Sequence, residues 1–437
     1  MRAPTTIALA RPRGRENDRF YFRVGNNDHV VLNRLIAEKR LQADGLVLDA
    51  RRHERHKTLR HYAIAANIST CLDTQAMELA MPGATSKGHL QLPWSKMHGR
   101  SADHFTPRRI EQVAEAIVRQ VVEGDYAEVK APAHYVAEAA SEWPATDVAL
   151  TLELRKQLNG ASREDVRIKF PLAVHHSVFY DAEARRNLWR TLKDLPVVDA
   201  ISLRIHPFGY DSGPHVMRSF IEACWDFRRD DVPLMIERAG IVGLAAYALG
   251  AVDIVESGIT IGDSFDIGSL QRPASPAADR SFAPPRRVYI EVLGAAVEHD
   301  VATKLMSSSR GKLQFACKER TCCPAGFESM LGDMERHSAL TRQRQYTELS
   351  RIPVSMRAEH FIHNVYSPVC DMLTRASDVH EPFKKSQRRM LSVKAVLLDL
   401  HRQRVRTQER SRVPDYDSSR PQTARIIPLP PREPRGR

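Results

Sequence analysis

Two carboxylates close short apolar runs. Asp73 follows Thr70-Cys71-Leu72, and Glu256 follows Val252-Asp253-Ile254-Val255. A carboxylate so placed can act as a nucleophile or as a general acid or base. Other runs end in Asp49 with Arg51, Lys130, His175 with His176, Arg204 with His206, and Glu237 with Arg238. The catalytic candidates are therefore Asp73 and Glu256. The substrate-binding candidates are Asp49, Lys130, His175, His206, Glu237 and Arg238. The competing reading of any one of them is a strand cap or an ion pair, for instance Glu256 with Arg238. If side chains alternate, Ile254 and Glu256 share one face, and Asp253 and Val255 the other.

A second cluster is Cys317, Cys322 and Cys323, with His337 further on. Three thiolates and an imidazole suit a tetrahedral structural Zn2+. The Cys-x4-Cys-Cys spacing also admits a redox pair or packing as small apolar residues. His360 and His363 lie three apart in a helical stretch, and the basic, His-rich segment 53–61 offers a solvated face or a phosphate contact.

Strand ends act together only if a sheet gathers them. Eight short β-rich runs occur, at 20–25, 45–50, 70–74, 127–131, 167–174, 200–205, 233–238 and 252–257. Amphipathic helical patterns separate most of them. The clearest spans 107–123, with Thr106 as N-cap and Pro107 in the first turn. Asp181 stands before another, which contains Leu188, Trp189 and Leu192. Apolar strands alternating with helices predict a parallel sheet covered by helices. Eight such units predict a (β/α)8 TIM-like barrel, with an open sheet as the alternative. The mouth of a barrel collects the C-terminal strand ends, which would place Glu256 there. A ninth run, 287–294, competes for the place of the last barrel strand.

The expected organisation is a flexible arm at 1–18, the barrel at 19–294, a Cys-rich helical subdomain at 295–407 and a disordered basic tail at 408–437. Helices are expected near 326–350, 355–376 and 384–406. Segment 260–286, rich in Pro, Ser and Gly, reads as a long loop. The formal net charge is +12 over 437 residues, yet the chain from Lys384 onward holds 15 Lys and Arg against 5 Asp and Glu. The body is thus close to neutral and the C-terminal region predicts a polyanion partner. Only six cysteines argue against a disulfide-stapled secreted fold. The N-terminus lacks an apolar signal core and no run approaches the roughly 18 apolar residues of a membrane span, so a cytoplasmic protein without membrane contact is expected. No Gly-x-Gly-x-x-Gly, Walker A, His-Glu-x-x-His or Gly-x-Ser-x-Gly motif is present, which weakens nucleotide-dependent oxidoreductase, NTPase, zincin and α/β-hydrolase readings.

With these residues in place, the chain resembles the tRNA-guanine transglycosylase superfamily, including relatives that insert 7-deazaguanine bases into DNA. The likeness rests on Cys317, Cys322, Cys323 and His337 after the last strands, on His363-Asn364, and on Gly250 to Glu256. It departs from the family at Glu256, where the family has an aspartate, in the cysteine spacing, and after Asp73, where an Asp-Ser-Gly-Gly-Phe run is missing. The resemblance implies a zinc-bearing barrel glycosyltransferase that exchanges bases on DNA or tRNA. Asp73 and Glu256 would be nucleophile and acid/base, Lys130 and Arg238 would hold the base or phosphate, and the basic tail would hold nucleic acid. Two other readings stand beside it. One is a barrel enzyme acting on a small molecule by metal or acid/base chemistry, using His175, His206, Glu237 and Glu256. The other is an inert barrel that binds nucleic acid.

Overall fold

The computed structural model describes residues 19–83, 87–192, 195, 198–228, 232–271 and 286–412. The expected arm (1–18), most of the expected tail (408–437) and much of the 260–286 loop lie outside them. Eight parallel strands form the barrel: β1 (Arg19–Arg23), β2 (Gly45–Asp49), β3 (Ser69–Asp73), β4 (Glu128–Lys130), β5 (Arg167–His175), β6 (Ala200–His206), β7 (Leu234–Glu237) and β8 (Ile254–Ser257). Each pairs with the next, and β8 pairs with β1, so the sheet is closed. The fold is the TIM barrel that the strand count implies.

The strands read as continuous apolar runs because both faces are buried. Phe20, Phe22, Leu46, Leu48, Leu72, Val129, Ile168, Phe170, Leu203 and Ile236 pack outward against the helices. Tyr21, Val47, Cys71, Ala200, Met235 and Ile254 form a small apolar belt inside. Glu256 lies on the inner face with Ile254, as the alternation implies, while Val255 packs outward.

Seven covering helices follow strands one to seven: α1 (Asp28–Ala37), α2 (Lys57–Ala65), α3 (Pro107–Glu123), α4 (Trp143–Gly160), α5 (Ala182–Leu192), α6 (Pro214–Phe227) and α7 (Gly240–Ala248). Thr106 caps α3 through the Arg109 N–H, with Pro107 in the first turn. Asp181 accepts from the N–H groups of Glu183 and Ala184 at the start of α5. Caps of this kind contribute about 1 kcal/mol each.

The eighth covering helix comes from far along the chain. It is α8 (Met334–Arg351), whose Tyr346 ring lies 5.1 Å from both Phe20 of β1 and Tyr247 of α7. Its Gln343 side chain bonds the backbone of Arg40 and Gln42, just past α1. The ninth apolar run is not a barrel strand. It forms an antiparallel hairpin, Arg287–Ile290 with Ala295–Glu298, away from the closed sheet. The C-terminal region is helical, with a π-helical stretch at Phe361–Tyr366, and ends in the 30-residue α9 (Phe383–Arg412), which packs on α6. Among the described residues, no helix is long and apolar enough to cross a membrane.

Candidate active site

Strand register places the site. Asp49, Asp73 and Lys130 stand in line on β2, β3 and β4, and Glu237 stands beside Glu256 on β7 and β8. All point to the C-terminal mouth. Arg23, the last residue of β1, reaches across it. Its guanidinium donates to Asp73 (2.6 Å), to Glu237 (2.7 Å) and to Glu256. Lys130 Nζ donates to Glu237 Oε1 at 2.6 Å and Glu256 Oε2 at 2.7 Å. Arg204 donates to Glu237 at 2.6 Å and Asp73 at 2.7 Å. Three carboxylates thus interlock with three cations, and the carboxylates and Lys130 are almost fully buried.

The electrostatics follow from this pairing. Burial alone pushes the carboxyl of Asp73 up, but Arg204, Arg23 and Lys130 outweigh it and hold it well below the usual carboxylate range. Glu237 is held low against burial by Arg204, Lys130 and Arg23. Both are ionised at neutral pH and cannot serve as proton donors there. Glu237 also accepts from Ser202, so four groups bind its two oxygens. That makes Glu237 the hub that orients Arg23, Lys130 and Arg204. Asp73 and Glu256 carry fewer bonds and are the carboxylates better able to meet a ligand.

One layer nearer the N-terminal strand ends lies a second charged cluster. Glu128 accepts from Tyr21 Oη at 2.9 Å and pairs with Lys169 at 2.6 Å and with Arg167. Although burial pushes Glu128 up, Lys169 and Arg167 bring it down to about 2. Lys169 Nζ also sits 3.4 Å from the Tyr21 ring centre, a cation–π contact.

The other expected residues are distributed around this centre. Asp49 is taken up by Arg51, with its carboxylate accepting from Arg51 Nε at 3.0 Å. His175 and His206 stand in register at the ends of β5 and β6, with rings 5.8 Å apart. They form a rim: His206 Nδ1 accepts from the Ile267 N–H and faces Asp266 at 3.5 Å. Among the described residues, His175, His206, Glu237 and Glu256 do not converge as a metal-ligand group. Nor does Glu256 pair with Arg238; its partners are Arg23 and Lys130. Arg23, Ser202 and Glu78, whose Oε1 lies 3.6 Å from Arg204, are members that sequence reasoning did not single out. The signal for Arg23 is alternation with the inward Tyr21.

The Cys-rich segment forms a separate centre. The ligand atoms of Cys317, Cys322, Cys323 and His337 all lie within 4.8 Å of one another. Cys322 Sγ and Cys323 Sγ are each 3.4 Å from His337 Nδ1 and 3.6 Å from each other. The edges of a tetrahedral Cys3His zinc site with Zn–S of about 2.3 Å are roughly 3.5–3.8 Å, so the residues fit a zinc ion. His337 Nε2 donates to the Tyr289 carbonyl at 2.8 Å, which leaves Nδ1 free to ligate. The adjacency of Cys322 and Cys323 does not prevent both thiols from facing the same point.

No family model and no curated protein matches the chain. Solved structures do. A thiamine phosphate pyrophosphorylase from Pyrococcus furiosus matches at 10% identity and a TM-score of 0.29, over 59% of this chain and 93% of that one. An endo-1,4-beta-xylanase from Penicillium canescens matches at 10% and 0.34, over 55% and 83%. A glycoside hydrolase family 10 xylanase from Gloeophyllum trabeum matches at 10% and 0.34, over 55% and 84%. Likeness this remote transfers no activity. The expected kinship with the tRNA-guanine transglycosylases is overturned: the barrel's neighbours are these distant TIM-barrel proteins instead. The physical reason the sequence misled is that a carboxylate at a strand end and a Cys-rich segment after a barrel are features of position.

Proposed function

We propose that the chain is a barrel enzyme that transforms a small molecule by carboxylate chemistry in the barrel mouth. The observation that carries this is the convergence of Asp73, Glu237 and Glu256 on one guanidinium, Arg23. Buried ion pairs stabilise a fold less than apolar side chains of the same volume. Their concentration at the C-terminal strand ends, where barrel enzymes keep their chemistry, supports a functional origin. Glu256 and Asp73 serve as the base or nucleophile, with Glu237, Lys130 and Arg204 holding them in place. Native mass spectrometry of Glu256→Gln after incubation with a small-metabolite extract tests this. A discrete retained ligand, absent from a Lys130→Met control, supports the reading; no retained mass contradicts it.

Zinc held by Cys317, Cys322, Cys323 and His337 belongs to the same proposal. It would act as a structural ion that anchors the first turns of α8, and its ligand set leaves no open position for catalysis. A nucleic-acid contact through the basic C-terminal region is favoured by one further observation. Lys384, Lys385, Arg388, Arg402 and Arg406 of α9 are all exposed, while Met390, Val393, Leu397 and Leu400 bury the opposite face. Binding to a DNA or RNA duplex that weakens steeply with salt supports it, and binding indifferent to salt contradicts it.

A further inference from the structure

Resting on the enzyme reading above, we infer that Arg238 anchors an oxyanion of the substrate, a phosphoryl or carboxylate group, at the end of β7. Arg23, Lys130 and Arg204 are all consumed by carboxylates. Arg238 is not. Among the described residues no carboxylate lies within ion-pair distance of it, and its Nε–H is buried with no acceptor. The acids nearest in effect, Glu78 and Glu256, are turned to other cations: Glu78 faces Arg204, and Glu256 binds Arg23 and Lys130. Arg238 is half-buried, but its Nε–H is shut off from water, and a donor so placed is costly unless a ligand supplies the acceptor. Burial, with Arg23 and Arg204 beside it, lowers its pKa to about 10, so it remains charged at neutral pH.

The backbone points the same way. Arg238 has φ of +53°, the left-handed region that side chains with a β-carbon rarely adopt. Such conformations concentrate at ligand-binding positions, where function holds them in place. Arg238 leads through Ala239 and Gly240 into the N-terminus of α7, whose first N–H groups have no partner within the helix. Gly240, at φ +54°, lets this turn lie against the loop after β8: a β-carbon there would sit 3.0 Å from Asp263 Cβ. That loop is held in turn by Arg342 of α8, which donates to the Ile259 carbonyl at 2.9 Å, to Ser257 at 3.0 Å and to Asp263 at 2.6 Å. The loops after strands seven and eight are where TIM barrels frequently bind phosphate groups. A guanidinium beside a helix N-terminus supplies the two kinds of donor that such a group requires.

Titration calorimetry on the full chain, with inorganic phosphate and separately with acetate in chloride buffer of matched ionic strength, tests the assignment. The variants are Arg238→Gly, which relaxes the backbone, Arg238→Lys, which keeps the charge, and Glu256→Gln. Binding of either anion to the wild type, weakened about tenfold or more in Arg238→Gly and less in Arg238→Lys, is expected. Phosphate alone binding identifies a phosphoryl group, and acetate alone a carboxylate. No binding of either, or equal binding by Arg238→Gly, overturns the inference. A melting temperature of Arg238→Gly at or above that of wild type shows that lost binding is not lost folding. Anion binding that survives in Glu256→Gln keeps this site standing even if the catalytic reading of Glu256 fails.

Discussion

Glu237 and Glu256 stand side by side at the ends of adjacent strands, and a single ammonium, Lys130 Nζ, bridges them at 2.6 and 2.7 Å. Removing that bridge leaves two buried carboxylates facing each other with Arg23 as their shared remaining cation. Lys130→Met is expected to cost about 3–5 kcal/mol, the usual penalty for breaking a buried pair from one side. Urea unfolding of the variant measures it. A loss below about 1 kcal/mol would mean that the network relaxes easily and that Lys130 does not hold the two glutamates.

Acid should act on the same network. Asp73 and Glu237 both titrate below their ordinary values in the fold. Their contribution is therefore fully present above the unfolded carboxylate value of about 4 and is lost as pH falls through the folded values. Unfolding free energy measured between pH 6 and pH 3 should drop steeply below about pH 4 in the wild type, and less steeply in Asp73→Asn. Parallel curves for the two proteins would remove Asp73 from the linkage.

Much of this was legible in the residues. All eight barrel strands lie at the apolar runs, and Asp73, Lys130, Glu237 and Glu256 do share one mouth. Arg23 was hidden because Phe20 to Gly25 reads as one strand, which shifts its apparent end to Asn26 and Asn27; the strand stops at Arg23. The pairings of Arg23 with Glu237 and Glu256 span more than 200 residues, and no local pattern records them. The run 287–294 has the composition of a barrel strand, yet Gly294, at φ +62°, turns it back into a hairpin. Nor does helical periodicity reveal that α8, far downstream, completes the ring around β1.

His337 and Arg342 lie on that same helix, so the Cys3His centre and the loop after β8 are mechanically joined. If zinc occupies the centre, elemental analysis should find one per chain in the wild type and none in Cys323→Ser. Stripping the metal with a chelator should then raise hydrogen exchange in Ser257–Asp263 as well as in α8, since Arg342 holds that loop. Faster exchange confined to 317–337 would show that the two regions are uncoupled.

The basic face of α9 yields a quantitative expectation. Each cation that contacts phosphate should contribute about 0.9 to the slope of log affinity against log salt on duplex DNA. Replacing Arg402 and Arg406 together by Gln should lower the slope by roughly 2 and leave the fold intact, since both side chains are exposed. An unchanged slope would move any nucleic-acid contact off this helix. Vesicles of acidic lipid binding where DNA does not would identify a different partner.

The most direct test of carboxylate chemistry in the mouth is a comparison of wild type, Glu256→Gln and Asp73→Asn in a metabolite mixture followed by mass spectrometry over time. At least one compound should disappear with the wild type and persist with either variant, at rates reduced by about 100-fold or more, while circular dichroism remains that of the folded barrel. Identical time courses for all three proteins, with every compound conserved or consumed alike, would contradict the assignment of Glu256 and Asp73 as reacting groups.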